Sequence, residues 1–486
     1  LVPGDGIYPI LITSALMHAP ARDDHSLLGA IVRLHTCPAN YHEPGTEEFA
    51  LQTALWFQAF SLFLHMPLDA EMGECTTLEL FCSERGRKGT MYLQAQALAQ
   101  REGWFCPTAK LVPKFDEVLY PGKTPRPVLG NDPVVMAVYG PVVEGFINLL
   151  KETIDGWCFQ TANGPLYLDF GGGKTQVEHS RWRSNARRFP SAWHVTCSGD
   201  DSLTIAPGGE EVENDFSKFD QSHSESLKLA ELQFFSILGW TEIVELTESR
   251  AEVAYKSDNR RFKVTGNAGV GLSTGDPRTY LKNSMDNAVV VLLAVHTWKP
   301  AESFAVHFQD LCAQMGFTSK VTCHQPHQVA TYLKSMWVPG SIDGQEDVED
   351  VFMSLPSCIL KAGKMLVDYR VYGLSVEEAA SAVASSYGAI PEEMPISGVF
   401  FKKLRELGRK GKEHIVPSLE HSFFAKPVVG EGVHLNRTVA MAMCQERYGV
   451  SRQDILEAEA VISSVTALPS WIHHPMFHIM AARDYG

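Results

Sequence analysis

Ser198-Gly199-Asp200-Asp201, Asp215-Phe216-Ser217-Lys218-Phe219-Asp220 and Gly275-Asp276-Pro277-Arg278-Thr279-Tyr280-Leu281-Lys282-Asn283-Ser284 all fall between residues 193 and 284, and their reading decides the rest. Ahead of the first, Trp193, Val195 and Cys197 alternate with His194 and Thr196, a period-two pattern that resumes at Leu203 to Ile205. Gly199-Asp200 tolerates positive φ, which predicts a tight hairpin with Asp200 and Asp201 at its tip. Asp215 and Asp220 bracket a strand end and the turn after it, ahead of a helix-like run from Ser224 to Leu238.

Carboxylates gathered at neighbouring strand ends repel one another, and one of them takes up a proton unless a cation intervenes. Hard oxygen ligands suit Mg²⁺ or Mn²⁺, and two such ions about 4 Å apart stabilise the attacking and leaving oxygens of an in-line phosphoryl transfer. A lone Gly-Asp-Asp is more often a solvated acidic turn. Two acidic turns so close in sequence, both at β ends, favour the metal reading.

Together the three motifs resemble those of viral RNA-dependent RNA polymerases. Asp215 to Asp220 resembles motif A of the palm (D-x4-D), Gly275 to Ser284 resembles motif B (G-x3-T-x3-N), and Ser198 to Asp201 resembles motif C (G-D-D). Their order here is C, A, B, whereas most of the family runs A, B, C. That permuted order resembles permutotetraviruses and birnaviruses, with Gly-Asp-Asp nearer the former. The resemblance implies an α+β right-hand fold of fingers, palm and thumb. Its palm would be an antiparallel sheet of the RRM or ferredoxin-like kind, in permuted motif order. The segment from Ala206 to Asn214 is then long enough to set the hairpin beside the motif A strand.

Further stretches fit the resemblance. Lys110-Leu-Val-Pro-Lys114-Phe-Asp-Glu117 and Lys123-Thr-Pro-Arg126 resemble motif F of the fingers, so Lys114, Lys123 and Arg126 would neutralise an incoming triphosphate. Ser273, Thr274 and Gly275 would form the loop that approaches the template. Asp220, Thr279 and Asn283 would read the ribose 2′-hydroxyl, which separates ribo- from deoxynucleotides. Met315 to Lys320 resembles motif D, with Lys320 protonating the departing pyrophosphate, and Tyr332 to Trp337 resembles the motif E hairpin. The implied metal ligands are Asp200, Asp201 and Asp215, which with Lys320 make up the catalytic set. By contrast, Gly171-Gly-Gly-Lys174-Thr175 carries Leu168 where a Walker phosphate loop needs Gly, and reads as a flexible loop.

The chain of 486 residues is 45% hydrophobic, enough for two or three subdomains. The expected division is fingers over 1–190, palm over 191–338 with a polar, β-prone fingers insertion near 241–270, and a helical thumb over 339–486. Helices are expected at 47–66, 134–150, 300–316, 375–386, 399–407, 437–447 and 451–464. A net charge of −15 speaks against a wholly basic nucleic-acid surface but permits a local basic groove. The ten cysteines never form C-x-x-C, and Cys312, Cys323, His324 and His327 match no zinc spacing, so reduced thiols are expected. Opening on Leu1, the chain reads as a fragment or processed product.

No uninterrupted apolar run of eighteen residues suggests a membrane span. The resemblance implies RNA template and primer, NTPs and other viral replication proteins as partners, in the host cytoplasm within a replication complex or virion. Two other readings stay open: an inactive metal- and RNA-binding scaffold, and a reverse transcriptase, against which Asp220 and Asn283 speak.

Overall fold

The computed structural model describes residues 7–15, 24–36, 41–67, 77–83, 85–102, 108–114, 120–249, 253–258, 263–268, 277–326, 328–365, 368–387, 390–409 and 432–486. At its centre is a six-stranded sheet of Cys158–Thr161 (β1), Gly164–Phe170 (β2), Trp193–Ser198 (β3), Asp201–Ile205 (β4), Glu211–Phe216 (β5) and Ser319–His324 (β6), each beside the next in chain order. All neighbours are antiparallel except β2 and β3, which run parallel. This departs from the all-antiparallel expectation. Gln176–Arg188, a helix between these two strands, carries the chain back to the starting end, and a strand re-entering there runs parallel.

One face of the sheet, with Leu166, Leu168, Trp193, Val195, Cys197 and Phe216, is covered by helices Glu47–Phe63 (α1), Pro133–Ile154 (α2), Glu225–Ile237 (α4), Thr279–Thr297 (α5) and Phe304–Gln314 (α6). Gln176–Arg188 (α3) lies on the other face, where Trp182 and Ala186 meet Leu203, Ile205 and Trp337. His194 and Thr196, the polar half of the alternation, are therefore buried as well.

The caps explain most helix starts. Thr46, Thr175 and Ser224 each accept a backbone N–H of the first turn, and Thr175 forms a capping box with Glu178. α6 begins only at Phe304, later than its Pro300 suggests, with Ser303 at the N-cap position but making no side-chain capping bond. By length and composition α2 could cross a membrane, yet more than half of its apolar window is buried inside the protein.

A second sheet pairs Ala109–Pro113 with Pro127–Gly130 on one side and with the hairpin Val253–Asp258 and Lys263–Ala268 on the other. The hairpin thus extends the basic Lys110 to Arg126 element. Thr241–Ser249, expected to be β-prone, is helical, because Ile243 and Leu246 sit three apart and both bury in the main core.

Beyond residue 334 the chain is not helical at first. Ser335–Ile342, Asp350–Ser354 and Val433–Leu435 form a small sheet, and among the described residues the longer helices that follow or flank it are Val376–Ser386 (α7), Ser397–Leu407 (α8), Arg437–Tyr448 (α9), Arg452–Ser463 (α10) and Pro475–Tyr485 (α11). They enclose a core of their own around Phe400, Phe401 and Phe477. Cys82, Cys158, Cys197, Cys312, Cys323, Cys358 and Cys444 are free thiols.

Candidate active site

The hairpin forms as its sequence requires. Gly199 takes φ +59°, and the turn delivers Asp200 and Asp201 to the edge of β4. Cross-strand register then assembles a row across four strands: Ser198 opposite Asp201, Asp201 opposite Asp215, Asp215 opposite Lys320. Directly paired residues share a face of a sheet, so both carboxylates and the Lys320 ammonium project to the side opposite the helical core. Asp200 lies in the turn itself, where its carbonyl accepts the Phe216 N–H at 3.1 Å. Lys320 Nζ stands 3.4 Å from Asp215 Oδ2, both side chains about half exposed or more.

The grouping perturbs the acids. Burial raises the Asp201 carboxyl to about 8, with Asp200 and Asp215 adding repulsion and Lys334 opposing it. Asp200 is raised too, by burial first and then by Asp215 and Asp220, while Arg126 pulls it down. Arg126 therefore reaches the electrostatic neighbourhood of the hairpin from the second sheet. Lys114 joins the same element through its backbone, its N–H donating to the Arg126 carbonyl at 2.8 Å, whereas Lys123 lies on an exposed turn closed onto Tyr120.

Asp220 lies in the short helical turn Phe219–Ser222, opened by Lys218 at φ +53°. The Nδ2 of Asn283, one turn into α5, donates to its Oδ1 at 2.6 Å. Thr279 is the first residue of α5 and half-buried. Ser273, Thr274, Gly275 and Glu117 lie outside the described residues. Among the described residues no three His, Cys, Asp or Glu side chains converge into a ready-made metal cage, at the carboxylates or at Cys312, Cys323 and His324.

The geometry adds residues that motif spacing does not mark. Ser284 Oγ accepts the Gly199 N–H at 3.0 Å, and Asn287 Nδ2 donates to the carbonyls of Gly199 and Asp201 at 3.2 and 3.1 Å. Tyr280, Ser284 and Asn287 recur at i, i+4 and i+7 and so share one face of the helix, which is the sequence signal for this contact. Asn287→Leu leaves both carbonyls without this donor and is expected to cost about 1–3 kcal/mol in chemical denaturation. A loss below about 0.5 kcal/mol, within the range of an ordinary surface change, would show that water replaces the amide.

Residues 205–306 match the model of the family described as RNA dependent RNA polymerase, a span that holds Asp215, Asp220, Thr279 and Asn283 and begins after Asp200 and Asp201. No curated protein matches the chain. Among solved structures, the RNA polymerase VP1 of infectious pancreatic necrosis virus aligns at 12% identity and TM-score 0.49, over 88% of this chain and 61% of that one. A chain of the birnavirus VP1–VP3 complex aligns at 12% identity and TM-score 0.46, over 68% of this chain and 48% of that one. The chain spans about half to three fifths of the length of these two. Over residues 205–306 the chain is thus similar to the RNA-dependent RNA polymerase family.

Proposed function

We propose that the chain is the polymerase portion of a viral replication protein, with a permuted palm, and that it adds ribonucleotides to an RNA 3′-hydroxyl under the direction of an RNA template. The observation that carries this reading is the register Asp201–Asp215–Lys320 beside Asp200. The hairpin precedes the motif A strand in sequence and lies next to it in space, where a polymerase needs its second acid.

The donor set fits a divalent ion. Asp200, Asp201 and Asp215 offer only hard carboxylate oxygens, and two of the three acids are raised by burial and mutual repulsion, a cost that a bound cation removes. Two Mg²⁺ or Mn²⁺ ions held there would activate the primer hydroxyl and neutralise the pyrophosphate. Arg126, with Lys114 and Lys123 on the same element, holds the triphosphate. Lys320, on the edge strand beside Asp215, gives a proton to the pyrophosphate oxygen as it leaves. Asp220, oriented by Asn283, accepts from or donates to the ribose 2′-hydroxyl, and Thr279 at the start of α5 completes the selecting set. Ser273, Thr274 and Gly275 line the template. Fingers, palm and thumb correspond to 1–190, 191–338 and 339–486, with 241–270 contributing to the fingers. The partners are template and primer RNA, NTPs and other viral proteins of the replication complex in an infected cell's cytoplasm.

Primer extension on a homopolymeric RNA template with Mg²⁺ or Mn²⁺ tests the reading. Product made from NTPs is expected, and a folded chain that binds primer–template yet never extends it would favour an inactive scaffold. Asp220→Ala should lower the preference for NTP over dNTP roughly tenfold, about one hydrogen bond's worth of discrimination. An unchanged preference would remove Asp220 from sugar selection.

A further inference from the structure

The Gly171–Thr175 stretch is packed, contrary to the flexible loop expected from its glycines. It leaves the end of β2 beside the hairpin, because β2 and β3 are parallel and Phe170 stands opposite Cys197. The Gly171 N–H donates to the Cys197 carbonyl at 2.9 Å, Lys174 pairs with Asp169, and Thr175 caps α3. Between these anchors the Gly172 carbonyl accepts from Lys151 Nζ of α2 at 2.9 Å and from the Tyr280 hydroxyl of α5 at 3.1 Å. A Cβ on Gly172 would fall on the Tyr280 ring, and one on Gly171 on the Tyr332 hydroxyl.

Tyr280 belongs to the first turn of α5, between Thr279 and Asn283. One turn later Ser284 holds the Gly199 N–H. The Gly172 contact therefore bears on the start of the helix that carries the amide bonded to Asp220.

Resting on the polymerase reading above, we propose that Gly172 and Tyr280 are positioning residues: their contact fixes the first turn of α5 relative to the Asp200–Asp201 turn and thereby sets the strength of ribose selection. The side-chain-free Gly172 leaves the space that the tyrosine ring occupies against the loop. Any Cβ there pushes Tyr280, and with it Asn283, away from Asp220.

The test compares ATP with dATP, by kcat/KM in primer extension and by equilibrium binding to the primer–template complex. Gly172→Ala is expected to lower ATP-over-dATP discrimination roughly tenfold, chiefly through a higher KM for ATP, since small misplacements of positioning groups have large effects. In a Tyr280→Ala background, where the ring is gone, the same substitution should change discrimination no further, the non-additivity of two residues in contact. Tyr280→Ala alone should lower discrimination as well, and it carries the test should Gly172→Ala fail to fold. An active parent whose discrimination is unmoved by either variant, or a Gly172→Ala effect undiminished in the Tyr280→Ala background, overturns the inference alone. A folded parent that neither binds nor incorporates nucleotide overturns the polymerase reading, and the inference with it.

Discussion

Asp200→Ala and Asp215→Ala are expected to abolish template-directed synthesis while leaving the chain as stable as the parent. Asp215 belongs to the row that register assembles across β4 and β5, and Asp200 lies in the turn between β3 and β4 beside it, so each substitution removes a carboxylate from the proposed ligand set. Loss of a metal that stabilises transition-state charge is worth several kcal/mol, roughly a thousand-fold or more in rate. The stability side follows from the same electrostatics. Asp200 and Asp215 both help raise Asp201 above its ordinary range, so deleting either relieves repulsion, and Asp215→Ala gives up in exchange only a half-exposed ion pair with Lys320, worth about 1 kcal/mol or less. Primer extension and thermal unfolding measured side by side check both halves. Near-parental elongation by either variant would remove that residue from the metal site, and a large loss of stability would make it a structural group instead.

Parts of this arrangement were legible before any coordinates because their cause is local. Gly199 with two acids after it specifies a tight turn, and the alternating residues on either side specify the strands that the turn joins. Ser375 and Ser451, each followed by an acid three residues on, mark the starts of α7 and α10 through capping boxes. The family resemblance supplied the pairing of Asp220 with Asn283, 63 positions apart, which no periodicity reaches. The glycine loop departs from its expectation for the opposite reason. Gly171 to Gly173 suggest freedom when taken alone, but the groups that fill the space left by their missing side chains, Tyr280 and Tyr332, are more than a hundred residues away. Thr241–Ser249 shows tertiary burial overriding a β-leaning composition, and the first strand of the small sheet at 335–354 carries Pro339 and Gly340, which break its β pattern.

The polar residues buried under α5 were the least legible, because composition predicts lysine and acids outside. Lys282, Glu231 and Asp286 are nearly or wholly buried, with Lys282 Nζ 2.6 Å from Glu231 Oε2. His223, which closes the turn carrying Asp220, lies 3.5 Å from Asp286, three residues along α5 from the Asn283 that meets Asp220. The motif A turn is thus tied to α5 by the Asp220–Asn283 hydrogen bond, with His223 packed against the same helix three residues on, and Lys282 ties that helix to α4. Burial first, and then Glu231, raises the Asp286 carboxyl well above its ordinary value, while Lys282 pulls it down. Lys282→Met leaves Glu231 buried without its cation, which is expected to destabilise the fold by about 3–5 kcal/mol.

The pH dependence has a defined sign. An acid whose folded pKa is raised contributes stability at low pH, and that contribution is lost as pH rises from the unfolded value of 3.8 toward the folded one. Removing Lys282 raises the folded Asp286 value further, so at higher pH the folded variant must keep taking up a proton or hold an unpaired charge. The deficit measured by denaturant titration should therefore be smaller near pH 5 than at pH 8. A deficit equal at the two pH values would mean that the acids are not the groups Lys282 compensates. A loss under about 1 kcal/mol, the range of an exposed ion pair, would mean that water reaches this pair and that the tie between α4 and α5 carries little of the fold.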